Sequence, residues 1–179
     1  MKTVFFDIDS QRDFLYPAGA LYVPNAERIV PAIAHLNRFA AAHGIPVVST
    51  VDAHAENDPE FAVWPPHCVA GTWGQRKAQA TLVDSASQII VEKQTVDVFL
   101  AANLGRIVEL LNADRYVVYG VVTEICVLYA VRGLLRTGKP VTLVTDAVEA
   151  LTAEASARAL EEVRTGGGTL ATVSEVCLM

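Results

Sequence analysis

Runs of residues without polar side chains alternate with helical patterns along this sequence, and this alternation restricts the possible folds more than any other feature. The run Tyr116–Tyr119 is entirely β-branched or aromatic, which is typical of a strand that is buried on both faces of a sheet. After Gly120 the apolar residues recur at helical spacing, so we expect a helix that begins near Thr123, with Thr123 as its N-cap. Repeated strand–helix units with right-handed crossovers give a parallel sheet that is covered by helices on both faces.

The same alternation extends over the whole chain. The predicted strands are Thr3–Ile8, Pro46–Val51, Gln88–Val91, Tyr116–Tyr119, Val141–Val144 and Thr169–Val173. The predicted helices are Ala26–His43, Phe99–Asn112 with Leu100, Leu104, Val108 and Leu111 buried, the segment from Thr123 to Gly138, and a segment from the cap Thr152 to about Arg164. Loops are expected at Ser10–Tyr22 and Asp52–Gly74. We therefore predict an α/β fold: a three-layer α/β/α sandwich around a six-stranded, mostly parallel, doubly wound sheet.

Composition restricts the class of protein further. The 179 residues are 52% hydrophobic, which is enough for one domain over residues 1–179 with a full core. The net charge is −6 and Lys and Arg are not clustered, which argues against nucleic acid or an anionic membrane as partner. The first residues match neither a signal peptide nor a membrane span. An odd count of cysteines, Cys68, Cys126 and Cys177, favours free thiols in a reducing cytoplasm.

Chemically active residues follow the ends of the predicted strands. Asp9 follows the first strand, Asp52 and His54 the second, Lys93 the third and Cys126 the fourth. In a doubly wound sheet, ligands bind beyond the carboxyl ends of the strands. We therefore expect an acid, a base, a thiol and metal ligands to meet at one edge of the sheet.

Cys126 is the candidate nucleophile at this edge. Its expected place in the first turn of a helix lowers the pKa of a thiol and exposes backbone N–H groups nearby. Asp9 is suited to take the thiol proton, and Lys93 to stabilise the thiolate. The alternative is structural: Cys126 packs the strand–helix junction, Asp9 caps a turn and Lys93 is a solvated strand end.

The loop after the second strand contains candidate metal ligands. These are Asp52, His54, Glu60 and His67. Two imidazoles and two carboxylates suit Zn²⁺, Mn²⁺ or Fe²⁺ better than Ca²⁺ or Mg²⁺. The alternative is that the loop histidines hydrogen-bond locally. We expect His35 and His43, on the first long helix, to be surface residues.

Aromatic residues occur in the loops above the same edge. Phe14, Trp64 and Trp73 are suited to form the wall of a pocket for a flat ring. Packing within the loops would explain them equally well.

Three sequence blocks resemble a known family. The first block is Asp9-Ser10-Gln11-Arg12-Asp13-Phe14, followed by Pro17-x-Gly19-Ala20-Leu21 and Val23-Pro24. The second block is Asp52-x-His54, followed by Trp64-Pro65-Pro66-His67-Cys68-Val69-x-Gly71-Thr72. The third block is Gly120-Val121-Val122-Thr123-Glu124-Ile125-Cys126-Val127. Together they are similar to the isochorismatase-like cysteine hydrolases, and among these to the nicotinamidases. The second block is the more specific for nicotinamidases, and the resemblance extends from about Val4 to Asp146.

The resemblance implies a site and an activity. It implies a catalytic triad of Asp9, Lys93 and Cys126. It implies a divalent metal ion, with zinc expected before manganese or iron, that is bound by Asp52, His54, Glu60 and His67. It also implies substrate contacts from Phe14, Trp64, Val122 and Ile125. It also implies a cis peptide before Val122 and an oxyanion hole formed by the N–H groups of Val122 and Cys126. The implied reaction is hydrolysis of nicotinamide, a small-molecule amide, to nicotinate and ammonia through a Cys thioester. Members of the family are often homo-oligomers.

Three other interpretations remain open at this point. The first is a related C–N hydrolase that acts on a carbamoyl or ureido compound; Asp52, His54 and His67 together favour a nicotinamidase over it. The second, the isochorismatase branch proper, cleaves a vinyl ether and has no need of a nucleophilic thiol. The third is a silent binding module, which would be marked by a broken triad.

Overall fold

A computed structural model describes residues 1–83 and 88–178 of the chain. In these two ranges six strands form one sheet in the order β3-β2-β1-β4-β5-β6, and every pairing between them is parallel. The strands are β1 (Thr3–Ile8), β2 (Val47–Asp52), β3 (Gln88–Lys93), β4 (Arg115–Val121), β5 (Val141–Glu149) and β6 (Thr169–Ala171).

Helices cover the sheet on both faces, which confirms the predicted three-layer α/β/α sandwich. The α-helices are α1 (Arg12–Leu15), α2 (Val30–Ala42), α3 (Leu104–Leu111), α4 (Leu128–Leu135), α5 (Ala153–Thr165) and α6 (Val173–Cys177). Of the helices in the described ranges, none combines the length and the apolar character that a membrane crossing needs.

The strand order reverses between β1 and β4. The chain passes from β1 through β2 to β3 on one side and then returns to place β4 on the other side of β1. Gly120 allows the two central strands to approach, because a Cβ there would lie 2.0 Å from the carbonyl oxygen of Ile8 and its φ is +122°. This reversal is the place where doubly wound sheets bind their ligands, and the residues that follow β1 and β4 are Asp9 and the segment that contains Cys126.

The polar-free runs form the core, as their sequence predicts. Tyr116–Tyr119 in β4 is at most 2% exposed, and the neighbouring residues Val4, Phe5, Phe6 and Ile8 of β1 are equally buried. Phe5 lies edge-on to Tyr119, with ring centroids 6.0 Å apart. Burial of these central strands gives the sheet edge a rigid base.

Several predicted boundaries differ from the structure. The first long helix begins with a 3₁₀ turn, Ala26–Ile29, and the loop after β1 contains the short helix α1. The prediction missed α6 and extended the last strand to Val173. Thr172 ends that strand because it begins a capping box with Glu175, a pattern that is visible in the sequence.

The prediction of a helix over Phe99–Asn112 is correct only from Leu104 onward. Residues Val98–Leu100 form a 3₁₀ turn, and the backbone becomes extended at Ala101. This break separates Leu100 from the helical periodicity of α3, so Leu100 is 71% exposed and Val98 is buried in its place. Leu104 and Val108 are buried as predicted, whereas Leu111 is only partly buried.

The prediction that Thr123 is an N-cap is wrong. Thr123 already lies inside a π-helical turn, Thr123–Val127, that leads into α4, and the residue at the cap position is Val122. An N-cap side chain acts from outside the helix, so a residue within the first turn is misplaced for this role. Thr152 does cap α5, because its Oγ1 accepts a hydrogen bond from the Ala155 N–H at 3.1 Å.

Candidate active site

Asp9 lies directly beyond β1 and is fully buried. Its backbone has a φ of +48°, and its N–H points to Thr50 of β2, with the carbonyl oxygen at 3.2 Å and Oγ1 at 3.1 Å. The Thr50 hydroxyl in turn donates a hydrogen bond of 2.6 Å to Asp9 Oδ1. Both the backbone and one carboxylate oxygen of Asp9 are therefore held by the neighbouring strand.

Lys93, the last residue of β3, connects the residues that follow the other strands. Its Nζ lies 2.8 Å from Asp9 Oδ2 and 2.5 Å from Asp52 Oδ1. The same ammonium donates to the Cys126 sulfur at 3.7 Å. Residues that are distant in sequence thus converge at the edge of the sheet, as the strand-end rule predicts.

The electrostatic environment of Lys93 favours its charged form. Burial acts against the charge, but the carboxylates of Asp9 and Asp52 outweigh it, and the pKa of Lys93 is raised well above its ordinary value. A permanent cation is therefore available beside the thiol.

The expectation that the pKa of Cys126 is lowered is wrong for this structure. Burial raises the pKa of the Cys126 thiol well above its ordinary value; Lys93 acts in the opposite direction, and Asp9 raises it further. Desolvation of the sulfur therefore outweighs its favourable position in a first helical turn. The resting thiol keeps its proton and needs a base when it reacts.

Cys126 lies in the π-helical turn after β4, and the peptide bond Val121–Val122 that precedes this turn is cis, as the resemblance implies. Val122 and Cys126 both line the same pocket. The carbonyl oxygen of Val122 accepts hydrogen bonds from the N–H groups of Ile125 at 3.0 Å and Val127 at 3.2 Å.

Four side chains, from the last residue of β2 and from the loop after it, form a ring of alternating acids and imidazoles. Asp52 Oδ2 lies 3.9 Å from His54 Nε2 and 4.0 Å from His67 Nε2. Glu60 Oε1 lies 4.0 Å from each of the same two nitrogens. Asp52, His54 and His67 are buried and their ligand atoms lie within 4.8 Å of one another, which makes them a possible metal site that Glu60 extends.

The outer nitrogens of both imidazoles face oxygen atoms, an arrangement that fits a metal. His54 Nδ1 lies 3.0 Å from Asp58 Oδ2, and His67 Nδ1 lies 2.7 Å from the carbonyl oxygen of Pro65. Both ring nitrogens of His54 are buried without a hydrogen bond of good geometry among the residues 1–83 and 88–178, so Nδ1 has only its ion-pair contact with Asp58 and Nε2 faces the ring of ligands without a partner. A metal ion would satisfy such a nitrogen, and a carboxylate or carbonyl oxygen on the other ring nitrogen is the usual outer support of a metal-bound imidazole. The residues therefore fit a divalent ion of the zinc type.

Asp52 is shared between this ring and Lys93. Burial raises the pKa of the Asp52 carboxyl to about 7, whereas Lys93 lowers it. The Gln11 side chain holds the Asp52 backbone in the manner of a paired strand: Nε2 donates to the Asp52 carbonyl oxygen at 2.8 Å and Oε1 accepts from its N–H at 2.7 Å. Our sequence interpretation missed Gln11 and Asp58 because no local pattern reveals which distant backbone or ring they contact.

A pocket opens beside the Cys126 sulfur. Its lining includes the predicted substrate contacts Phe14, Trp64, Val122 and Ile125, and also Leu21, Val23, Val96, Val121 and Leu151, which the prediction did not include. Its ionisable lining residues are Asp52, Glu60, His67 and Cys126. An apolar pocket with polar groups from one site suits a flat, largely apolar ligand.

Trp73 does not belong to this pocket. It is 47% exposed, and the Arg12 guanidinium lies 5.4 Å from its ring centroid. His35 and His43 are exposed on and after α2, as predicted. Among the described residues Cys68, Cys126 and Cys177 are free thiols.

Comparisons with known proteins agree with this architecture. A family profile described as the isochorismatase domain matches residues 3–175. The nicotinamidase of Escherichia coli (strain K12) is 26% identical over 94% of this chain and 93% of its own length. The pyrazinamidase of Pyrococcus horikoshii, solved in complex with zinc, superposes with a TM-score of 0.89 at 30% identity, over 96% of this chain and 99% of that one. The N-carbamoylsarcosine amidase of Thermoplasma acidophilum superposes with a TM-score of 0.85 at 26% identity, over 97% of both chains.

The chain therefore belongs to the isochorismatase family, with the fold of its hydrolases. The family and the relatives named together indicate an enzyme of the amidohydrolase class.

Proposed function

We propose that this protein is a metal-dependent amidase that hydrolyses nicotinamide, or a closely related aromatic carboxamide, to the acid and ammonia. The observation that carries the proposal is the position of the Lys93 ammonium, which lies 2.8 Å from Asp9, 2.5 Å from Asp52 and 3.7 Å from the Cys126 sulfur beside an apolar pocket. We also infer that the chain works as a single domain, since the family profile spans nearly all of it.

The first chemical step uses Cys126 as nucleophile and Asp9 as base. Because burial keeps the thiol protonated, the proton passes to the Asp9 carboxylate as the sulfur attacks the carboxamide carbon. The Lys93 ammonium stabilises the negative charge that moves between the carboxylate and the sulfur. We assign the oxyanion that forms to the backbone N–H groups of Val122 and Cys126, since both residues line the pocket.

The second half of the reaction returns the enzyme to its starting state. The tetrahedral intermediate collapses, the C–N bond breaks, and Asp9 gives its proton to the departing ammonia. A water molecule then attacks the thioester and transfers a proton to Asp9. When the C–S bond breaks, that proton returns to the sulfur, and the carboxylic acid leaves.

The ring of Asp52, His54, Glu60 and His67 is the proposed metal site, and a divalent ion bound there supplies a Lewis-acid contact for a ring nitrogen or for water. Burial lowers the pKa of the His67 imidazole, which favours the neutral form that binds metals. Phe14 and Trp64 then hold the aromatic ring by its faces, and Ile125 restricts its size.

The lining of the pocket argues against a carbamoyl compound such as N-carbamoylsarcosine, which carries a carboxylate of its own. The ionisable residues that line the described part of the pocket include the acids Asp52 and Glu60 but neither Lys nor Arg. The proposed divalent ion would balance the charges of Asp52 and Glu60, but the substrate carboxylate would still enter an apolar surrounding without a Lys or Arg side chain to pair with. A neutral carboxamide does not meet this obstacle.

The test is ammonia release by the purified protein from nicotinamide, pyrazinamide and N-carbamoylsarcosine, after chelation and with Zn²⁺, Mn²⁺ or Fe²⁺ restored. We expect metal-dependent release from the two aromatic amides and loss of release in Cys126→Ala. Cys177→Ala is the matched control, because it removes a half-buried thiol of α6 far from the pocket. Turnover that survives in Cys126→Ala would refute the mechanism, and preference for N-carbamoylsarcosine would refute the proposed substrate.

A further inference from the structure

A buried ion pair that the proposed mechanism does not use lies next to the Asp9 loop. Lys77 is 6% exposed and Asp7 is fully buried, and the Lys77 Nζ lies 2.8 Å from Asp7 Oδ2. Burying two charges is unfavourable unless further hydrogen bonds hold them, so a buried pair is weak evidence for stability and raises the question of which arrangement it fixes. The neighbours of the pair show which arrangement that is.

The Lys77 ammonium also holds the centre of a tight turn. It donates a hydrogen bond of 2.5 Å to Ser10 Oγ. Ser10 is the middle residue of a three-residue turn, which the Gln11 N–H closes onto the carbonyl oxygen of Asp9 at 2.6 Å. The Ala78 N–H, next to Lys77, donates to the Ser10 carbonyl oxygen at 2.9 Å. Lys77 and its neighbour therefore hold both the side chain and the backbone of Ser10.

This turn directs two side chains to different parts of the site. Asp9 precedes Ser10, and its carboxylate reaches Lys93. Gln11 follows Ser10, and its side chain holds the backbone of Asp52. The φ of +48° at Asp9 is uncommon for a residue other than glycine, although Asp adopts it more readily than most, and hydrogen bonds on both sides of Asp9 hold the backbone there. Thr50 of β2 holds Asp9, the first residue of the turn, whereas Lys77 holds Ser10, its middle residue.

The other end of the ion pair is anchored in the body of the fold. Asn37 of α2 donates to Asp7 Oδ2 at 2.8 Å and to the Thr81 carbonyl oxygen at 2.6 Å. The Tyr119 hydroxyl of β4 donates to Asn37 Oδ1 at 2.6 Å. The cluster thus connects α2 and β4 with the turn. It touches Ser10 at two points: the Lys77 ammonium donates to Ser10 Oγ, and Ser10 Oγ donates to Thr81 Oγ1 at 3.2 Å.

We propose that Lys77, paired with Asp7, is a positioning residue that fixes the Asp9–Gln11 turn and thereby aims the Asp9 carboxylate at the reacting thiol. The proposal rests on the proposed function in so far as Asp9 is the base. Lys77 itself does not touch the substrate.

The test compares two variants that weaken the same cluster at opposite ends. The double variant Asp7→Asn/Lys77→Met removes both charges, so no unpaired charge remains buried, and it removes the hydrogen bond to Ser10. Tyr119→Phe is the matched control, because it removes one buried hydrogen bond at the Asn37 end and leaves Ser10 untouched. Both are assayed for kcat and KM by ammonia release, for Tm, and for hydrogen exchange of a peptide covering residues 8–13.

We expect kcat of the double variant to fall by about 10- to 100-fold with KM changed less than threefold, since small misplacements of a catalytic group have effects of this order. Exchange of the amides of Gln11 and Arg12 should become at least about tenfold faster. Tyr119→Phe should lower Tm but keep kcat within twofold and leave that exchange unchanged.

A double variant whose kcat stays within twofold would overturn the proposal, as would an equal loss of kcat in Tyr119→Phe, which would indicate a general loss of stability. If the parent protein hydrolyses no amide with any metal, the proposed function fails and hydrogen exchange alone decides about Lys77. In that case unchanged exchange of residues 8–13 in the double variant overturns the positioning role, and faster exchange supports it.

Discussion

Asp58 provides the sharpest test of the metal site, because it supports the ring without belonging to it. Its Oδ2 lies 3.0 Å from His54 Nδ1, and its Oδ1 accepts a hydrogen bond of 2.9 Å from the Glu60 N–H. The Glu60 N–H and, to a smaller extent, His54 hold the pKa of Asp58 below its ordinary value, although burial acts in the opposite direction. One carboxylate therefore orients one proposed ligand and places the backbone of another.

We expect Asp58→Ala to weaken zinc binding by about 10- to 100-fold, the usual effect of losing an outer carboxylate behind a metal-bound imidazole. His54 is fully buried, so its Nδ1 would lose the carboxylate that faces it at 3.0 Å without gaining full access to water. Asp58→Asn should weaken binding less, because the amide oxygen still accepts from the imidazole and only the charge is lost. Glu56→Gln is the matched control, since Glu56 is exposed in the same loop.

The assay is competition for Zn²⁺ with a chromophoric chelator, supported by thermal unfolding at a fixed zinc concentration. At a free zinc concentration of 100 times the parent Kd, bound metal stabilises the folded protein by about 2.7 kcal/mol. A 30-fold weaker site would be stabilised by only about 0.9 kcal/mol under the same conditions. Zinc affinity of Asp58→Ala within twofold of the parent, or equal to that of a weakened Glu56→Gln, would refute the support that we assign to Asp58.

Three further predictions concern the triad, the pocket and the core. Lys93→Met should lower kcat for ammonia release by about 100- to 1,000-fold, because it leaves buried carboxylates without their cation; retained kcat would contradict the role of Lys93. Trp64→Ala should raise KM for nicotinamide about tenfold or more through loss of ring contact, whereas Trp73→Ala should not; equal effects on KM would contradict the pocket assignment. Leu134→Ala removes a fully buried side chain of α4 and should lower the free energy of unfolding, measured by urea titration, by about 2–5 kcal/mol. Leu110→Ala changes a largely exposed side chain and should lower the same free energy by less than about 0.5 kcal/mol. A reversed order of the two effects would contradict the packing of α4.

The central strands and the location of the site follow from local features of the sequence. The run Tyr116–Tyr119 has no polar residue, so it must be buried on both faces, and such strands alternate with helices only in a covered parallel sheet. The carboxyl ends of parallel strands share one edge. This geometry is sufficient to predict that Asp9, Lys93 and Cys126 meet there.

Other properties of the site depend on contacts that no sequence window contains. The thiol pKa of Cys126 is raised because the folded chain buries it, although its position in a first helical turn predicts the opposite. The exposure of Leu100 depends on a backbone break at Ala101, which helical periodicity does not reveal.

The sequence by itself thus determined the layers of the fold and the edge of the sheet at which the chemistry is expected, because burial and periodicity act between near neighbours in the chain. Only the tertiary structure decided how these residues are aimed. Gln11 reaches Asp52 across 41 positions and Lys77 reaches Asp7 across 70. Hydrogen bonds of this kind depend on the final distances between strands and loops, which exist only once the chain is folded.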